Sequence, residues 1–249
     1  VSEFSRYRTV DEILNGAAVE CGLTAATSAY SSEDVAFTQL RQLLLTAGQE
    51  LIGGYSWQQL RREFSQTVLH GDSGSYALPP DFDRFLDQTQ WNRTAQEILG
   101  GPASPQDWQA LNGSQIVVQP LTVTWRLDND YIKIYPVPPV TGIDPYATLY
   151  FEYISRAWVQ DGTTSSVYRD YFIAGNDVLR YDSVLLIKML KLRFLGAKGF
   201  ATVDALNQYN QALSAAQNKV TPGEKLSLVP GSCANPQPWS GAINNGLPA

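Results

Sequence analysis

One histidine, two cysteines and a short run of aspartates are the residues of this chain whose types and spacing could do chemistry. His70 is the only imidazole, so Ser-His-Asp catalysis would have to be built on it. It stands in His70-Gly71-Asp72-Ser73-Gly74, a turn sequence, with no nucleophile motif beside it. A tetrahedral zinc site would need ligands from Cys21, Cys233, His70 and carboxylates scattered over the whole chain, and that scatter rejects it. No Gly-x-Gly-x-x-Gly or Gly-x-x-x-x-Gly-Lys-Ser/Thr run cradles a phosphate, and Gly196-Ala197-Lys198-Gly199 reads as a turn between helices. Asp81, Asp83 and Asp87 lie among Phe82, Phe85 and Trp91, and an acid pair in an apolar cleft is what glycoside hydrolysis uses. Exposed capping or turn carboxylates account for them better. A peptidoglycan-cleaving hydrolase is kept as the enzyme alternative.

Charge is the second candidate. Arg180, Lys188, Lys191, Arg193 and Lys198 face a single acid, Asp182, so this stretch is net positive by four in a chain of net charge −6. Lys188, Lys191 and Lys198 fall near one helical face. Most such stripes are solvated faces. The functional version is a stripe that lines or flanks a channel for duplex DNA, with weak contacts, because strong phosphate binding would retard movement.

The elements that must position these residues are legible in outline. Thr9, followed by Asp11 and Glu12, starts a helix that stops at Gly22. A second begins near Ser31-Ser32-Glu33-Asp34, carries Val35, Leu40, Leu43, Leu44, Ala47 and Leu51, and ends at Gly53-Gly54. Trp57 to Leu60 reads as a helical turn. Thr67-Val68-Leu69 and Ser75-Tyr76-Ala77-Leu78 read as a hairpin around the His70 turn. Ser104-Pro105-Gln106-Asp107 opens a short helix closed by Asn112-Gly113. Val123 to Leu127, Asp128-Asn129-Asp130 and the strand from Tyr131 form a second hairpin. The central strand is Leu149 to Val159, with Leu149, Phe151, Tyr153, Ser155, Ala157 and Val159 on one face, and Tyr131 to Val137 is expected beside it. A further strand is expected over Tyr168 to Ala174, then helices over Val178 to Ala197 and Thr202 to Asn218.

Composition sets the class. The mixture of apolar and charged residues is that of a folded protein. The mild acidity argues against a protein whose main task is gripping nucleic acid. Cys21 and Cys233 are expected as reduced thiols. Val1 to Arg6 has no apolar core of a secretory leader, and the densest apolar patch, Val184 to Leu195, is broken by Lys188, Lys191 and Arg193, so a soluble chain without a membrane contact is expected. From Val220 onward five prolines and four glycines leave no room for a regular helix or central strand. Fixing each residue costs about 1–2 kcal/mol of backbone entropy, so this segment is expected to take its order from a partner's surface.

Several stretches also carry a family resemblance. Leu78-Pro79-Pro80-Asp81-Phe82, Trp91, Gly101-Pro102 and Ser104-Pro105-Gln106-Asp107-Trp108 come in order. A hydrophobic strand ending in prolines follows, then Tyr153-Ile154-Ser155-Arg156-Ala157-Trp158-Val159. In order and spacing this set, which covers Val10 to about Lys219, resembles the head-to-tail adaptor (connector, tail accessory factor) proteins of short-tailed bacteriophages. The resemblance implies a virion protein at the head-tail junction, assembled in the host cytoplasm as a ring of twelve copies. Its partners would be the portal protein, the tail or nozzle proteins, copies of itself and, transiently, duplex DNA.

The reading is therefore an α+β chain in which N- and C-terminal helices pack beside an antiparallel β-region, followed by an extended C-terminal tail. Its parts are 1–114, helical with a hairpin; 115–177, antiparallel β; 178–219, C-terminal helices; and 220–249, a partner-binding tail. The function expected is structural, not enzymatic, with no catalytic, cofactor or metal residue. Portal-binding arm candidates are Leu226, Leu228, Val229, Trp239, Ile243 and Leu247; DNA-channel candidates are Lys188, Lys191 and Lys198. The alternative is a tail-associated peptidoglycan hydrolase or carbohydrate-binding tail component, although no internal repeat of a sugar-binding aromatic motif is present.

Overall fold

In a computed structural model the described residues are 6–113 and 123–219. The six arm candidates and Cys233 lie outside them. In chain order the elements are β1 (Arg8–Thr9), α1 (Val10–Glu20), α2 (Val35–Gly54), a 3-10 turn (Gln58–Leu60), β2 (Arg61–Val68), β3 (Ser75–Ala77), β4 (Phe82–Phe85), β5 (Trp91–Asn92), β6 (Glu97–Ile98) and α3 (Pro105–Gly113). They continue with β7 (Thr124–Asp128), β8 (Tyr131–Tyr135), β9 (Ala147–Ser155), β10 (Val159–Gln160), β11 (Tyr168–Arg169), β12 (Val178–Leu179), α4 (Ser183–Ala197) and α5 (Val203–Asn218). The strand pairs are antiparallel, so the fold is the α+β arrangement expected.

Local chemistry sets the helix ends. Thr9 caps α1 in a reciprocal box, Glu12 N donating to Thr9 Oγ1 and Thr9 N to Glu12 Oε2, so two orphan amides are satisfied at once. Asp34 and Asp182 accept from the first-turn amides of α2 and α4. The terminal helices α1, α2, α4 and α5 share one core with Trp57, Leu60, Ile154, Trp158, Val159 and Tyr181. Glycine is required at one point of it, because a Cβ on Gly48 of α2 would overlap the Trp158 ring.

The β-region has a second core. Phe151 and Leu149 of β9 and Val68 of β2 meet Ile132 and Ile134 of β8 and Trp125 of β7. Two sheets enclose it: β2-β9-β5-β6 with β4 also on β9, and β3-β8-β7. β9 is central as anticipated, with β2 along one edge from Val68↔Ala147 to Arg61↔Ile154 and β4 and β5 sharing the other, but it ends at Ser155 instead of running on to Val159, which pairs in a separate sheet as β10. The partners of β9 are a correction too. Tyr131 to Tyr135 pairs with β7 and β3 and not with β9. Alternation says which face a strand buries but not which strand lies beside it, and the tight Asp128-Asn129-Asp130 turn, with Asn129 at φ 53, claims one edge of β8 for β7.

The expected hairpin between Thr67–Leu69 and Ser75–Leu78 is likewise corrected. β2 pairs with β9 and β3 with β8, so the His70 turn carries the chain from one sheet to the other. The turn closes locally, Leu69 N donating to Asp72 Oδ2 at 2.8 Å, and also bonds outward: Gly71 N donates to Pro139 O and Ile134 N to Gly74 O. Two further spans are shorter than expected. The Tyr168–Ala174 strand contracts to β11, and Val178–Leu179 pairs as β12 before α4 begins at Ser183. No helix among the described residues is long and apolar enough to cross a membrane.

Candidate assembly surfaces

The aspartates with an apparent claim to chemistry do not converge. Asp81 Oδ2 accepts from Ser155 Oγ at 2.5 Å, Oδ1 accepts from Tyr153 OH at 3.1 Å, and Arg62 lies 3.1 Å away, so both oxygens are occupied in joining β2, β4 and β9. Burial first, and then the Asp81 charge, push the Tyr153 phenol up to about 12. Asp83 is held by Arg84 at 2.6 Å, and Asp87 is exposed with no side-chain partner among the described residues. Cys21 is a free, partly buried thiol whose pKa burial raises.

The basic residues of α4 are engaged inside the subunit. Lys188 Nζ donates to both oxygens of Glu20 on α1, at 2.7 and 2.8 Å, and Lys191 Nζ lies 3.4 Å from the same carboxylate. Arg193 forks onto Glu50 of α2. Lys198, at the end of α4, is exposed, its ammonium 5.3 Å from the centre of the Phe194 ring. Two lysines against one glutamate still leave one positive charge at the α1–α4 seam.

That seam is pH-sensitive. Burial pushes the Glu20 carboxyl up, but the hydrogen bonds and charges of Lys188 and Lys191 together outweigh it and hold it below the usual range. A depressed carboxyl contributes stability above its unfolded pKa, a contribution lost as pH falls through the folded value. Glu20→Gln should therefore cost about 1 kcal/mol at neutral pH, as partly exposed pairs do. Its melting temperature should also fall less than that of the wild type between about pH 5 and pH 3. Parallel melting curves over that window would remove the pair from the stability account.

A loop elsewhere on the surface is exposed and apolar. Between β8 and β9 the chain runs through Pro136, Pro138, Pro139 and Pro145, and its tip exposes Val140 by 85 % and Ile143 by 90 %, with Val137 half exposed behind them. The base is clamped to the turn before β3. His70 N donates to Asp144 Oδ1 at 2.8 Å, His70 Nδ1 lies 3.1 Å from Pro139 O, and Gly71 N donates to Pro139 O at 2.9 Å. The imidazole packs edge-on against Tyr146 and so closely on Gly142 that a Cβ there would overlap it. The single histidine is thus the loop's buttress. A second apolar patch, Phe200, Val203 and Leu206, lies beside Lys198 where α4 turns into α5. Sequence reading missed both surfaces. The available signal was a pair of β-branched residues, Val140 and Ile143, set among prolines where no periodicity could bury them.

The arrangement offers an internally bonded scaffold with projecting apolar contacts. Comparison with known proteins agrees with that character. No curated protein matches the chain significantly, whereas the family model described as SU10 adaptor protein matches residues 8–227. That match spans both cores and every element described above, so the chain belongs to the SU10 adaptor protein family, structural proteins of the phage head-to-tail junction.

Proposed function

We propose that the protein is one subunit of a ring that docks beneath the portal, extends the DNA channel and gives the tail or nozzle proteins their platform. The observation that carries this reading is the clamped loop. Two β-branched side chains held almost wholly in solvent by an ordered base are arranged for docking, since a preformed contact pays little ordering entropy on binding. Family membership supports the setting, and the ring of twelve is carried by the resemblance.

The two cores suggest a division of labour. α5 ends at Asn218 and hands the chain to the segment with Leu226, Leu228, Val229, Trp239, Ile243 and Leu247, the proposed portal-binding arm. Burying Trp239 could contribute up to roughly 4 kcal/mol per subunit at about 25 cal/mol per Å². Repetition around a ring raises effective concentration and makes even weak arms hold. The β-region, with the Val140–Ile143 tip, is then left for the tail proteins. Lys188, Lys191 and Lys198 are proposed to flank the channel; Glu20 already offsets the first two, which keeps the field on passing DNA weak. A Lys198→Glu ring that passes DNA at wild-type speed would count against that channel role.

The deciding experiment is to mix purified protein with portal and measure the mass of the product. Wild-type chain should add a ring of copies to the portal, and a chain lacking 220–249 should remain folded yet add none. Absence of any wild-type complex, or normal attachment of the shortened chain, overturns the docking reading or the arm respectively.

A further inference from the structure

A recess on the joint between the two cores is short of one negative charge. Gln59, Arg61, Arg62, Ala157, Tyr168 and Arg180 line it, around a volume of about 120 Å³. The Arg180 guanidinium carbon lies 5.2 Å from the centre of the Tyr7 ring and 5.3 Å from that of Tyr168, and the Arg62 guanidinium lies 4.5 Å from the same Tyr168 ring. Aromatic faces hold a guanidinium by its plane and leave its N–H edge for directed bonds.

That edge is only partly used. Arg180 Nη1 donates to Tyr168 OH at 3.2 Å, and Nη2 donates to the Gln59 carbonyl at a long 3.4 Å. Nε is buried with no acceptor among the described residues. Arg62 has Asp81 at 3.1 Å and Arg61 has Glu152 at 3.7 Å, whereas Arg180 has no carboxylate among the described residues. Of the two guanidiniums on the Tyr168 ring, that of Arg62 thus has a carboxylate and that of Arg180 has none among the described residues. The side-chain oxygen of Gln59 is also buried without a partner among the described residues, so it takes no bond from Arg180.

We propose that this recess receives a side-chain carboxylate from a second copy of the chain, so that Arg180 closes the contact between neighbouring subunits. The inference rests on the ring reading above. An oxyanion is the group that fits a fixed arginine fork whose terminal nitrogens Nη1 and Nη2 each keep a second N–H beyond the bonds to Tyr168 and Gln59. A carboxylate is favoured over nucleic-acid phosphate because the chain as a whole is net −6, a field that repels a run of phosphates but not one short acidic side chain. The chain also carries the complement. Glu33, Asp87, Asp130, Asp170 and Asp204 are exposed and enter neither an ion pair nor a side-chain hydrogen bond among the described residues.

The test uses full-length protein assembled on portal, with ring formation followed by mass against protein concentration. Arg180→Glu should keep the wild-type circular dichroism spectrum yet need at least about tenfold more protein to form rings, the scale expected when a buried charge pair is broken. Combined with Arg180→Glu, reversal to arginine of one of the five exposed acids should restore assembly. An Arg180→Glu protein that assembles at the wild-type concentration overturns the proposal, as does a defect that none of the five reversals repairs. Should Arg180→Glu not fold, Arg180→Lys keeps the charge without the fork and is read by the same criterion. A wild-type chain that forms no ring fails the adaptor reading and this contact together, whereas assembly of both wild type and variant fails this contact alone.

Discussion

Trp158→Ala should lower the stability of this protein by about 3–5 kcal/mol, the range for deleting a fully buried aromatic side chain. Set against a total of about 5–15 kcal/mol, that loss leaves a marginal fold. Trp158 is completely buried in the short link between β9 and β10. Its ring lies on Gly48 of α2, tilted against Tyr181 at 5.8 Å and edge-on to Phe172 at 6.3 Å, and its Nε1 donates to Asp170 O at 2.8 Å. One side chain therefore joins the helical core to the loop before β12. Truncation removes apolar contact, opens a cavity that rigid helices close poorly, and strips the Asp170 carbonyl of its donor. Gly48→Ala should fail in the opposite sense, by overpacking, at about 1–3 kcal/mol. Equilibrium urea unfolding measures both. A Trp158→Ala midpoint within experimental error of the wild type would mean that the two β–helix contacts are not coupled through this ring.

The second large effect is on attachment and leaves stability alone. Val140→Asp with Ile143→Asp should weaken binding of tail proteins to portal-bound rings by at least about a hundredfold, the scale of losing a central apolar anchor. The melting temperature should stay within about 1 °C of the wild type, because both side chains already face solvent and surface changes away from packed features cost little. Portal complexes should keep their wild-type mass, which separates a lost tail contact from a lost ring. His70→Ala should give a partial defect by loosening the clamp on Pro139 and Asp144 without touching the tip. Tail proteins that bind the double variant as tightly as the wild type would free the loop of any docking role.

How far the residues alone carried the interpretation depended on the distance over which each interaction acts. The Thr9–Glu12 box, the Asp34 and Asp182 caps, the Asn129 turn and the start of α3 at Pro105 were all legible, because their partners lie within four residues. The Leu149 strand was legible too, since Leu149, Phe151 and Tyr153 alternate with Tyr150 and Glu152, and it is the first set that the structure buries. The motif order from Leu78 to Val159 was enough for the family.

What only the tertiary structure decided was which distant residues meet. Lys188 lies 168 positions from Glu20 and Arg193 lies 143 from Glu50, so a run that reads as a positive stripe becomes, once α4 packs on α1 and α2, a set of internal ion pairs. Asp81, a candidate acid in the chain, is filled by Ser155 and Tyr153 more than seventy positions away. The pairing of β8 with β7 and β3, the His70 corner and the exposure of Val140 and Ile143 follow the same logic. Periodicity determines the face a segment buries, a property of neighbours along the chain, whereas partners and exposure are set by the simultaneous packing of all the elements.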